Sequence, residues 1–104
     1  MPSARIEMPA PGTMVHVREL LRYPGVHTPV PASQSSPTSA IPWAQIRRFG
    51  KLRLYGTRAQ LTVAELVDGR QVQALHKEQS TDVVRLLARR LKGVWADQGI
   101  RWEA

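Results

Sequence analysis

The sequence predicts an α+β fold: a three-stranded antiparallel sheet over 46–55, 60–67 and 70–77, with a C-terminal helix over 81–98 on one face. Three observations carry this. Asp68-Gly69 lies between two alternating, β-rich runs, the pattern of a two-residue hairpin turn. Residues 46–55 alternate apolar and basic side chains with the period of a strand. In "STDVVRLLARRLKGVWADQG" (80–99), Val83, Val84, Leu87, Leu91, Val94 and Trp95 fall on one helical stripe.

Each element has its own reading. In the first strand, Ile46, Leu52 and Leu54 point to the core with Arg48 and Gly50, and Arg47, Phe49, Lys51, Arg53 and Tyr55 point outward. A bulge at Gly50 would turn Phe49 to the core. In the hairpin, a two-residue turn sets Val67 opposite Arg70 and places Leu61, Val63, Val67, Val72 and Ala74 on the core side. Thr62, Ala64, Leu66, Gln71, Gln73 and Leu75 then take the other side. For the helix, Ser80 serves as N-cap, Asp82 suits the positive end of the dipole, and Gly99 is the stop.

Proline divides the chain. All eight prolines lie within 2–42 and none follows. Residues 1–42 therefore read as a Pro/Ser-rich arm and linker, and 43–104 as the small α+β domain. Within the arm, Val17, Leu20 and Leu21 stand at helical spacing between Thr13 and Pro24-Gly25, which predicts a short helix over 14–23.

Composition limits the function classes. The chain has 104 residues, a net charge of +7 and no cysteine. Disulfides and cysteine-containing zinc sites are excluded. No apolar run approaches the roughly 18 residues of a spanning helix, so no membrane partner is expected and the location is read as cytoplasmic or intracellular. His16, His27 and His76 are too scattered for a metal or triad signature, and no glycine-rich phosphate loop or GxSxG motif is present. No catalytic residue, metal or cofactor is assigned, and an enzyme is not expected.

The charge is concentrated. Residues 1–45 carry three basic and two acidic residues, whereas 46–104 carry twelve and six. A sheet with a helix on one face leaves its other face open. That face predicts a nucleic-acid-binding surface centred on Lys51, Arg53 and Tyr55, with Arg47, Arg48, Arg58, Gln71 and Gln73 around it. Cations neutralise phosphates, glutamines bond bases or backbone, and an aromatic ring stacks on a base. Arg85, Arg89, Arg90 and Lys92 read instead as the solvated side of the helix.

The α-β-β-β-α order is similar in outline to double-stranded-RNA-binding domains, although "EQSTD" (78–82) stands where those place a cationic cluster. Three strands and a C-terminal helix also look like the sheet-type DNA readers at the N-termini of some integrases. The expected function is that of a small accessory nucleic-acid-binding protein, with DNA ahead of RNA. The alternative is a structural or adaptor subunit of a larger assembly, such as a virion component, whose N-terminal arm contacts a protein neighbour.

Overall fold

The computed structural model of the chain describes residues 9–25, 28–53, 59–94 and 99–103. Seven strands form one antiparallel sheet: β1 (Met14–Leu21), β2 (Val30–Pro31), β3 (Thr38–Pro42), β4 (Ile46–Arg53), β5 (Gln60–Leu66), β6 (Gln71–Ala74) and β7 (Ile100–Trp102). Their order is β2-β1-β6-β5-β4-β7, with β3 also paired to β1. A single helix, α1 (Thr81–Arg90), and two 3-10 turns, Trp43–Gln45 and His76–Glu78, complete the described elements.

The fold is therefore mostly β, a curled half-barrel sheet with one short helix, and the expected three-stranded α+β arrangement is corrected. Both outline similarities drawn from that arrangement lapse with it. Three local choices account for the difference.

The first is at 14–23, where a strand replaces the expected helix. Val15 and Val17 alternate with His16 and Arg18, and both valines are buried. β-Branched side chains suit the pleated surface better than a short helix, which has few bonds of its own to hold it. The strand pairs with β3 through Met14–Arg18 and with β6 through Val17–Glu19. The proline-rich segment thus supplies three strands of the sheet. Pro31 and Pro42 stand in strands that flank β1 on the side away from β6, and a strand at a sheet edge tolerates a missing N–H.

The second is the hairpin. Its turn holds three residues, Val67, Asp68 and Gly69, rather than two. Leu66 N–H donates to Arg70 O at 2.8 Å, and Gly69 N–H donates to Leu66 O at 2.9 Å. Gly69 takes φ +93°, which a glycine adopts without strain. Asp68 Oδ1 accepts from Arg70 N–H at 2.9 Å. The extra residue slips the register by one, pairing Ala64 with Val72 and Glu65 with Gln71. The expected faces hold in β6 and invert in β5.

The third is the end of the helix. Ser80 caps it as expected, its hydroxyl accepting from Val83 N–H at 3.3 Å. Leu91 closes it, and Gly93 at φ +79° turns the chain well before Gly99. Residues 95–98 of the expected helix lie outside the described residues. Ile100–Trp102 forms β7 on the open edge of β4.

The core lies between α1 and one sheet face. Val83, Leu86, Leu87 and Leu91 pack on Val15, Val17, Phe49, Ala64, Leu66 and Val72, with Ile41 and Trp43 closing the cluster. Trp43 and Phe49 meet at a 5.0 Å centroid distance, tilted by 50°. Among the described residues no helix is long and apolar enough to cross a membrane.

Candidate nucleic-acid interface

Pairing across the sheet sorts side chains into rows, and successive rows point to opposite faces. Val17, Ala74, Thr62, Lys51 and Arg101 make one row on the face that carries the helix. Arg18, Gln73, Val63, Gly50 and Trp102 make the next, on the opposite face. Glu19, Val72, Ala64 and Phe49 return to the helix face. Gln71, Glu65 and Arg48 return to the opposite one.

These rows separate the residues expected to act together. Lys51 and Arg53 stand on the helix-bearing face, both half-buried, in alternation with buried Phe49. Arg48, Gln71 and Gln73 stand on the other. Arg47 is the extra residue of a β-bulge between Ile46 and Arg48, and it is exposed. That bulge lies three residues before Gly50, so Phe49 reaches the core with no irregularity at the glycine. Tyr55 and Arg58 lie outside the described residues.

Arg48 is engaged within the protein. Its Nε donates to Glu65 Oε2 at 2.8 Å and its Nη2 to Glu65 Oε1 at 3.2 Å. Its guanidinium lies 4.1 Å from the Trp102 ring centroid, in cation–π range. The hydrogen bond from Arg48 holds the buried Glu65 carboxyl below the ordinary glutamate range against the opposing effect of burial. The charges of Arg48 and Arg47 and a hydrogen bond from Gln71 add to it. Gln71 in turn accepts from Arg22 Nη2. A polar ladder, Trp102–Arg48–Glu65–Gln71–Arg22, thus crosses β7, β4, β5 and β6 and ends beside β1.

Two clefts draw on residues of the β1–β6 strand pair. One, of about 420 Å³, is lined by Glu19, Leu20, Arg22, Arg70 and Gln71 among others. The second, of about 360 Å³, is lined by Arg18, Gln34, Gln73, His76, Lys77 and Glu78 among others. Arg70 keeps most of its side chain in water, with Glu19 at 3.7 Å and Asp68 at 3.3 Å. Arg18 donates to Ser36 O at 3.3 Å and Gln34 O at 3.2 Å, which tethers the serine-rich turn to β1. His76 shares a 2.7 Å hydrogen bond with Thr62 Oγ1, and partial burial, followed by the charge of Lys51, lowers its pKa.

Of the residues singled out by sequence, the clefts gather Gln71 and Gln73. They add Arg18, Arg22, Arg70 and His76, which the sequence reading left outside the site, and Lys77, which it set beside the glutamines on the hairpin. The signal for Arg18 was present in the alternation of "VHVR" (15–18), which sends the arginine to the face opposite the valines. The chain matches no family model, no curated protein and no solved structure.

Proposed function

We propose that this protein binds nucleic acid along the β1–β6 strand pair. The supporting observation is that Arg22, Arg70 and Gln71 line one cleft and Arg18, Lys77 and Gln73 line another, each drawing on β1 and β6. Cations spaced along a strand pair neutralise successive phosphates and release their counterions, and glutamines between them bond base or sugar. The net charge of +7 raises the encounter rate with a polyanion. Glu19 and Glu78 are the carboxylates that line these clefts. The adaptor reading drew its partner contact from residues 1–42, and 14–21, 30–31 and 38–42 of that segment are spent on pairing within the sheet.

The test is binding of labelled DNA and RNA, single- and double-stranded, over a range of salt. Affinity should fall linearly on a log–log plot. The double variant Arg22→Ala/Arg70→Ala should flatten that slope by roughly 1 to 2. Absence of salt-sensitive binding to every nucleic acid tried would falsify the proposal.

A further inference from the structure

Lys51 and Arg101 stand directly opposite each other on β4 and β7, on the face that carries the helix. Like charges set opposite each other across a strand pair destabilise it. A local choice that works against the fold marks a place to look for function. Arg53 follows Lys51 by two residues and takes the same face, with Gln60 as its partner in register. Thr62, Ala74 and Val17 continue the Lys51 row, and none of them carries a charge to offset the pair. Glu103, on β7's side, already accepts from Arg90 and from Phe49 N–H. Glu19 lies three strands away on β1, beside Arg70.

The helix adds charge to the same side. Arg85, Arg89 and Lys92 recur at spacings of four and three and are all exposed, so they form one stripe. Asp82, in the first turn, is the acid of that helix. The helix dipole favours cations in the last turn, which accounts for Arg89 and Lys92 but not for Arg85 in the middle. α1 packs on Phe49, two residues before Lys51 on the same face, and Arg90 covers the Phe49 ring at 5.2 Å. Stripe and sheet cations therefore lie on one side of the molecule. Arg18, Gln71 and Gln73 of the clefts lie on the opposite sheet face. The sheet and its packed helix stand between the two surfaces.

We propose that the helix-bearing side holds the phosphate backbone of a second nucleic-acid segment, so that one molecule bridges two. Lys51, Arg85 and Lys92 make the contact, with Arg53, Arg89 and Arg101 around them. A surface of one charge sign suits backbone contacts, which carry no sequence information. This rests on the nucleic-acid reading above and adds a second surface to it.

The test is capture of a labelled duplex by an identical biotinylated duplex on beads, with the single strand run in parallel. Anisotropy of the labelled nucleic acid alone measures simple binding. Native protein should capture, and capture should pass through a maximum and fall at excess protein, when each segment fills with its own molecules. Arg53, Arg89 and Arg101 have contacts of their own within the protein, so the other three carry the test. Lys51→Gln/Arg85→Gln/Lys92→Gln should cut capture about tenfold and leave the anisotropy affinity within about twofold at the same salt. Arg85→Gln/Lys92→Gln, confined to exposed positions, should reduce capture in the same direction, which separates the effect from any cost of changing half-buried Lys51. Binding without capture overturns the inference. Undiminished capture by the triple variant does so too, because bridging then comes from self-association. Phosphatidylserine vesicles that bind native protein but not the variant, with no capture, assign the face to a lipid surface and overturn it as well. In these cases salt-sensitive binding to one segment is untouched, and the broader function stands. Absence of salt-sensitive binding to every strand sinks both.

Discussion

A methyl group at position 50 would meet Arg101 O at 2.7 Å, Ile100 Cγ2 at 2.9 Å and Trp102 Cε3 at 2.9 Å. Backbone and ring cannot retreat cheaply, so Gly50→Ala should cost about 1–3 kcal/mol and loosen β7. Urea unfolding checks this, and a change below about 0.5 kcal/mol would remove the packing role assigned to Gly50. The sequence marked this glycine as special but could not say why. Bulge and close approach leave the same single-letter trace, and the bulge lies at Arg47 instead. Glu65 yields a prediction of a different kind. Its carboxyl is held below the ordinary range chiefly by Arg48. A lowered folded pKa stabilises the fold fully above the ordinary glutamate value of about 4.3, and this is lost as pH falls through the folded value. Thermal melts should show native stability declining below about pH 4.3, with a shallower decline in Glu65→Gln. Parallel pH profiles for the two proteins would contradict the assignment.

At the scale of elements, a residue just after β7 adds a polar latch to the apolar packing of α1 on the sheet. Glu103 accepts from Arg90 Nε at 2.7 Å and from Arg90 Nη2, and its Oε1 also accepts from Phe49 N–H at 3.1 Å. Its own N–H donates to Phe49 O at 2.9 Å. Arg90 in turn covers the Phe49 and Trp43 rings at 5.2 and 5.6 Å. Glu103→Ala strands a largely buried guanidinium and a strand N–H, for a cost of about 2 kcal/mol. Glu103→Gln keeps an acceptor for Phe49 and should lose less. Chemical denaturation of the pair measures the difference, and equal losses would mean that the Phe49 bond contributes nothing. This latch was not legible in the sequence, because Glu103 and Arg90 become neighbours only once β7 pairs with β4. The Ser80 cap was legible, since a cap depends on residues within one turn. The hairpin was legible as a hairpin. Its turn length was not, and a one-residue difference there exchanged the two faces of β5 and with them the assumed core.

Across the whole molecule, what hid the fold was proline. Its density in 2–42 reads as an arm, yet Pro31 and Pro42 sit in strands flanking β1, where a missing N–H is tolerated. Val15 and Val17 carried the opposite signal, a period of two, in a stretch too short for periodicity alone to decide between strand and helix. The candidate clefts were obscured for the same reason: Arg18, Glu19 and Leu20 of β1, with Arg22 just beyond it, help to line them, and a count of basic residues along 46–58 leaves these out. Removing residues 1–42 separates the two readings. An arm leaves behind a folded 43–104. In this sheet the deletion strips Val15, Val17 and Ile41 from the core, each worth roughly 1.5–3 kcal/mol of burial, and bares the edge of β6. Against a typical total of about 5–15 kcal/mol, that loss leaves little or nothing. The 43–104 fragment should show no cooperative thermal transition and should lose salt-sensitive nucleic-acid binding along with Arg18 and Arg22. A fragment that melts cooperatively, seen by circular dichroism, would show that β1 to β3 are dispensable to the core.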